Sequence, residues 1–290
     1  MKIAIYGKTI PEKAILSLVQ FCESLLEAGF EIWLHTTLKS FFEPFPTVYF
    51  KAHFFDRSNK PLTRADMLIS IGGDGTMLDS VSYIHDLGTP ILGINTGRLG
   101  FLASIGPEDL DLALKSIVSG NYKTEERSVL EVQQPLFAPK GFALNEITLL
   151  KKDSSSMLTI HVEVDGEFLC DYWADGLIIS TPTGSTAYSL SCGGPIVLPG
   201  SNNLIITPIA PHNLTVRPIV LPDHAPISIR VEGRGDQFLM AMDSKTVPLE
   251  MGTEIILQRA NFSVNLMQPD GVSFFKTLRN KLMWGIDKRN

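Results

Sequence analysis

The chain has 290 residues, enough for about two domains and a sizeable core. Its 25 basic and 31 acidic residues give a net charge of −6, which excludes a general nucleic-acid coat protein, and 44% apolar content excludes extended disorder. The three cysteines, Cys22, Cys170 and Cys192, are too few and scattered for a disulfide framework or a CxxC zinc site, and no apolar run reaches the ~18 residues of a membrane span. The expectation is a soluble, cytoplasmic protein that binds neither nucleic acid nor membrane.

Ile3 to Tyr6 reads as a strand. Residues 11 to 28 carry Ile15, Leu18, Val19, Cys22, Leu25 and Leu26 on one helical face, stopped by Gly29. Glu31 to His35 reads as a second strand, and the aromatic- and proline-rich stretch 36 to 62 as an irregular connection. Met67 to Ile71 is a buried strand, followed by GGDGT and a helix from about Met77 to His85. Residues 90 to 94 form another strand and 107 to 119 another helix. Strands alternating with helices predict an α/β domain with a parallel sheet.

After about residue 126 the period becomes two. Ile160, Val162 and Val164 share a face, and Asp165-Gly166 is a hairpin signal. Further short strands are expected at 176 to 180, 203 to 207, 227 to 232, 237 to 242, 254 to 258 and 262 to 267, which fits an all-β domain. Helical spacing returns at Phe274, Leu278 and Leu282. The expected division is an α/β phosphate-binding domain over 1–125, an all-β domain over 126–270, and a tail, 271–290, returning to the first.

Gly72-Gly73-Asp74-Gly75-Thr76 stands between a buried strand and a helix. Glycines let the backbone approach an anion, and a helix N-terminus offers unpaired N–H groups and partial positive charge. Asp74 inside such a cradle would repel phosphate unless it accepts a proton or sits beside a metal. The plainer alternative is a tight turn with Asp74 as a helix N-cap. Walker A spacing is absent around Gly7-Lys8-Thr9, and the third position of a dinucleotide GxGxxG is Leu78. A second glycine loop, Asn95 to Phe101, follows the next strand and carries the cation Arg98. The hydroxyl-rich run from Thr181 to Ser191, between Asp175-Gly176 and Gly193-Gly194-Pro195, suits a polar ligand with ribose or phosphate groups. Asn145-Glu146 can chelate neighbouring hydroxyls. No GxSxG elbow supports a serine hydrolase.

GGDGT, NTGRLGFL, NE, and DG…STPTGSTAYSLSCGGP with PHNLTVRP, in this order, closely resemble bacterial-type NAD kinase over about residues 65 to 250. The resemblance implies an α/β domain plus an all-β domain, and transfer of the ATP γ-phosphate to the 2′-hydroxyl of the adenosine ribose of NAD. It implies Asp74 as proton acceptor. It implies Gly72, Gly73, Gly75, Thr76 and Arg98 against phosphates, and Asp74, Gly75, Phe101, Asn145, Glu146, Asp175, Thr186, Ala187, Tyr188, Ser189, Leu190 and Ser191 lining the NAD site. Trp173 and Lys245 stand where members often have a basic residue and an amide. The resemblance further implies Mg²⁺ arriving with ATP, and a homotetramer or homodimer with the NAD site completed by a neighbouring subunit. A lipid kinase and a non-catalytic NAD(P) sensor are the competing readings. The hydroxyl-rich loop disfavours the first and the carboxylate of Asp74 the second.

Overall fold

The computed structural model describes residues 1–56, 65–97, 100–103, 105–137, 140–152 and 157–285. Two units divide the chain: Met1–Glu126 with Val264–Asn290, and Arg127–Ser263.

The first unit is built on β1 (Lys2–Gly7), β2 (Glu31–His35), β3 (His53–Phe55), β4 (Met67–Gly72) and β5 (Ile91–Asn95). The order is β3-β2-β1-β4-β5, all parallel, and Leu266 of the strand Glu254–Pro269 pairs parallel with Ile91 beyond β5. Every residue of β4 and β5 is buried, as expected of central strands covered on both faces. The helix Glu12–Glu27 buries Ala14, Leu18, Val19, Phe21, Cys22 and Leu25. Its periodicity was visible because burial fell on a single face. Burial pushes the Cys22 thiol up to about 12, so it acts as a small apolar side chain.

Three expectations are corrected in this unit. The stretch 36 to 62 is not irregular throughout: it holds the helical turns Thr36–Leu38, Lys39–Phe42 and Pro46–Tyr49, and then β3. Its apolar residues Leu38, Phe42, Val48 and Phe55 join the core, so tertiary packing stabilises elements too short to show a period. The helix after β4 runs Asp74–Ile84, beginning three residues before Met77, because glycine and aspartate are accepted in a first turn whose N–H groups need no intrahelical partner. The helix expected over 107 to 119 is the 3₁₀ turn Pro107–Asp109 followed by Leu110–Ser119.

The second unit is antiparallel. A six-stranded sheet has the order Ile219–Pro222, Asn203–Ile209, Gly176–Ser180, Glu146–Lys151, Gln237–Met242 and Lys245–Glu250. Glu167–Ala174, Leu158–Val164, Ile227–Glu232 and the first part of Glu254–Pro269 pair in a second sheet. The core takes alternate residues from both sheets, including Ile147, Leu149, Leu177, Ile179, Phe238, Met240, Ile160, Val162, Ile227 and Ile229. Asp165 and Gly166 both have positive φ, 53° and 77°, as the two-residue hairpin there requires. The separate strands expected at 254 to 258 and 262 to 267 are one continuous strand, Glu254–Pro269. Its polar Gln258, Arg259 and Asn261 resemble a turn in composition, but continuous backbone pairing decides the element.

Candidate functional site

β4 ends at Gly72, whose φ of 153° and Cβ position, 2.3 Å from Thr76 Oγ1, exclude any side chain. Gly73 is the N-cap in extended conformation and makes no side-chain cap bond. A Cβ on Gly73 or Gly75 would meet nothing within 4 Å. Internal packing therefore explains Gly72 but neither of the other two. Their open side, at a helix N-terminus on the carboxyl end of a parallel strand, is where an anion can reach the backbone.

Asp74 is the first helical residue and Gly73 the N-cap, and the cap makes no side-chain hydrogen bond. Its carboxylate turns to the second glycine loop. Oδ1 accepts from Leu102 N at 3.0 Å and Ala103 N at 3.0 Å, and Oδ2 from Phe101 N at 2.9 Å. Gly100 permits this approach: a Cβ there would lie 1.9 Å from Asp74 Oδ1. Asn95, at the end of β5, accepts from Gly97 N at 2.7 Å and donates to Ala103 O at 3.2 Å. Thr96 N donates to Gly72 O at 3.3 Å. The two glycine loops are thus tied into one body. Arg98 lies outside the described residues.

The helix Phe274–Leu282 belongs to the same unit. Phe274 packs on Phe101 with ring centroids 6.1 Å apart. Two turns on, Lys281 Nζ lies 3.6 Å from Asp74 Oδ2 and 4.5 Å from the Phe101 ring centroid.

In the second unit, the segment 144 to 146 and the loop 181 to 188 form another cluster. Thr181 Oγ1 donates to Leu144 O at 2.6 Å, and Thr181 N donates to Asn145 O at 2.9 Å. Gly184 lies so close that a Cβ would be 2.2 Å from Asn145 O. Asp243, at the Gln237–Met242/Lys245–Glu250 hairpin with φ 49°, accepts from Leu144 N, Asn145 N and Glu146 N at 2.8, 2.9 and 3.2 Å. Burial pushes the Asp243 carboxyl up to about 6, against the lowering pull of those three amides. Burial, and then the neighbouring Asp243 charge, push Glu146 up to about 8, although Tyr188 N–H donates to it. Glu146 Oε2 is buried and lacks a hydrogen-bond partner, which marks it as an acceptor available to a ligand.

The hydroxyl-rich loop divides into two sets. Ser185 Oγ donates to Pro182 O and accepts from Val197 N, and Ser189 Oγ is hydrogen-bonded to Thr207 Oγ1 at 2.8 Å. Both side chains are buried and support the loop. Tyr188 and Ser191 are exposed, and Thr186, Ala187 and Leu190 are half-buried. Asp175 is paired with Lys151 Nζ at 2.6 Å. It immediately precedes the strand Gly176–Ser180, whose other end carries the 181 loop and pairs with Glu146. Five strand residues separate Asp175 from Glu146 by about 17 Å. Trp173 is 52% exposed and packs on His212, on the Asp175 side. Lys245 is exposed at the Asp243 hairpin, 5.9 Å from the Phe142 ring centroid. Two residues escaped the sequence reading. Neither Asp243, beside Lys245, nor Lys281, in the tail expected to return to the first domain, was singled out. The signal for Lys281 was its seven-residue spacing from Phe274.

The profile of the ATP-NAD kinase N-terminal domain matches residues 19–122, and that of the ATP-NAD kinase C-terminal domain matches 144–268. The chain belongs to the NAD kinase family. Family membership makes it a phosphotransferase. It is 44% identical to the NAD kinase of Flavobacterium johnsoniae, with all of both chains covered. It is 49% identical to that of Cytophaga hutchinsonii over 79% of each chain. Among solved structures it resembles yeast NADH kinase complexed with NADH (TM-score 0.87, 25% identity, 99% of this chain and 89% of that one). It also resembles an NAD kinase from Archaeoglobus fulgidus in complex with ATP (TM-score 0.78, 26% identity, 98% and 99%). Among the described residues of this family member, no helix is long and apolar enough to cross a membrane.

Proposed function

We propose that this chain transfers the γ-phosphate of ATP to the 2′-hydroxyl of the adenosine ribose of NAD, giving NADP and ADP, with Asp74 accepting the hydroxyl proton. One observation carries the assignment to Asp74: its carboxylate is fixed by three amides at the mouth of a helix N-terminus whose glycines are open. A carboxylate has about four acceptor positions, and three are filled. Oδ1 holds two amides and Oδ2 one, so the remaining position is on Oδ2. In the step, the acceptor O–H bond breaks and its proton passes to Oδ2. The oxygen bonds to the γ-phosphorus as the bond to the β-phosphate oxygen breaks. Phosphoryl transfer asks the protein mainly for such positioning and for charge neutralisation.

Asp74 Oδ1 is filled by two amides and Oδ2 already faces Phe101 N and Lys281, and Asp79 is paired with Lys8 at 2.5 Å. Among the described residues no cluster of three or more His, Cys, Asp or Glu is gathered to hold a metal ion. These surroundings fit a Mg²⁺ that enters on the triphosphate of ATP. That ion neutralises phosphate charge when bound.

On the NAD side, Glu146 Oε2 accepts a ribose hydroxyl and Tyr188 stacks on a ring. Asn145, Thr186, Ala187, Leu190 and Ser191 are assigned to the same NAD contact surface, with Ser189 supporting the loop from beneath. Asp175 and Trp173 lie at the far end of the strand, about 17 Å away. Their part in NAD binding is therefore played in a homodimer or homotetramer, where one subunit's Asp175 end meets the Glu146 end of another copy. The protein works in the cytoplasm, without nucleic-acid or membrane partners. Lys245 borders the Asp243 hairpin and contacts the outer part of NAD.

Incubation with NAD, ATP and Mg²⁺, followed by chromatographic product analysis, should yield NADP and ADP in equal amounts. Asp74→Asn should lower kcat by roughly 10²–10⁴, the usual worth of a general base. A near wild-type rate would remove Asp74 from the chemistry.

A further inference from the structure

The cradle 72–77 contains no basic side chain, yet the transferring group carries several negative charges. The cation that the fold places at Asp74 comes from 207 residues later in the chain. Lys281 is held from two sides. Its ammonium lies 3.6 Å from Asp74 Oδ2 and 4.5 Å over the Phe101 ring, within cation–π range. The same Phe101 gives its backbone N–H to Oδ2 at 2.9 Å, and its ring packs on Phe274 of the Lys281 helix. Carboxylate, amide, ring and ammonium therefore form one closed set around a single oxygen. That oxygen is the one with an acceptor position left.

We infer that Lys281 is a positioning residue for phosphoryl transfer: it fixes the Oδ2 edge of Asp74 and the Phe101 ring, so that the acceptor hydroxyl meets a carboxylate in one orientation. The proposal rests on the assignment of Asp74 as proton acceptor. Lys281 neither gives nor takes a proton in the step. It remains an ammonium, and its ion pair with Oδ2 is replaced by Oδ2–H as the acceptor proton arrives. A plain surface lysine would need neither an aromatic shelf nor a shared carboxylate. A salt bridge that served stability alone would contribute little, since exposed pairs are weak.

The test uses the full-length enzyme with Lys281→Met, which keeps the stem and removes the charge, and Lys281→Arg, which restores it. Lys281→Met should lower kcat at least 10-fold, with KM for NAD and for ATP within 3-fold of wild type and Tm within 2 °C. Lys281→Arg should recover at least a third of the wild-type kcat. In the Asp74→Asn background the same Lys281→Met change should cost less than 2-fold, because its action passes through the carboxylate. A wild-type kcat in Lys281→Met, a loss explained by a fall in Tm, or a full 10-fold loss in the Asp74→Asn background overturns the inference. If Asp74→Asn itself keeps the wild-type rate, the failure belongs to the proton-acceptor assignment and is recognised as such. If Asp74→Asn is impaired and Lys281→Met is not, the failure belongs to Lys281.

Discussion

Asp74 in the first unit and Asp243 in the second use the same device. Each carboxylate accepts from the backbone N–H groups of three consecutive residues, 101 to 103 and 144 to 146 respectively. Their surroundings differ. Asp74 stands at an open helix N-terminus with an ammonium beside it. Asp243 is half-buried in the turn of a hairpin, where desolvation raises it to about 6 and where it helps raise Glu146 to about 8. An amide clamp at an open site leaves an oxygen edge for a reacting group. A clamp in a hairpin turn fixes the chain segment that presents Asn145 and Glu146. The first is proposed to serve the chemical step and the second the binding surface.

That contrast can be broken most directly by matched changes. Asp74→Asn is expected to show its 10²–10⁴ loss in kcat with a small change in Tm. Asp243→Ala should do the reverse. It leaves three amides without their charged partner, and at about 1.5 kcal/mol or less apiece after relaxation the total is about 3 kcal/mol. Calorimetry should then report a Tm lower by about 6–12 °C. If Asp243→Ala melted with the wild type, the second clamp would carry no structural load.

The half-buried neighbours Glu146 and Asp243 predict a pH dependence whose sign follows from the direction of the shifts. Both groups hold their protons in the fold at pH values where the unfolded chain has released them. Stability is therefore greatest at the acid end of the window and falls as pH rises from the ordinary carboxylate range, through about 6 for Asp243, to about 8 for Glu146. Each group can contribute up to about 1.4 kcal/mol per pH unit while the two states differ by a full proton. Glu146→Gln should flatten the decline between pH 6 and 8, as read from urea midpoints. An unchanged slope would show that Glu146 is ionised throughout.

Asp175→Ala sharpens the comparison at the other end of the strand. It should raise KM for NAD about 10-fold, from a lost charged hydrogen bond of about 1.5–3 kcal/mol, and leave KM for ATP nearly unchanged. Equal effects on both substrates would place Asp175, with its Lys151 partner, in the scaffold. Two glycines give the smallest contrast. Gly184→Ala drives a methyl into Asn145 O and should cost about 1–3 kcal/mol of stability. Gly73→Ala meets nothing in the fold and should leave Tm unchanged while lowering kcat/KM. A drop in Tm without loss of activity would show that Gly73 serves the turn.

The sequence by itself determined the elements whose period was strong. The Glu12–Glu27 helix, the strands 31–35, 176–180, 227–232 and 237–242, and the Asp165-Gly166 hairpin all follow from local spacing and turn chemistry. It also determined the family, because GGDGT and the run 181–195 are contiguous. Only tertiary structure decided what lies between distant segments. The short helices of 36–49 exist because they pack, not because they repeat. Asp243 and Lys281 act on residues 97 to 99 and 207 positions earlier in the chain, and local spacing names neither of those partners. A hydrogen bond or ion pair depends on where two chain segments meet, and spacing along one segment carries no record of the other.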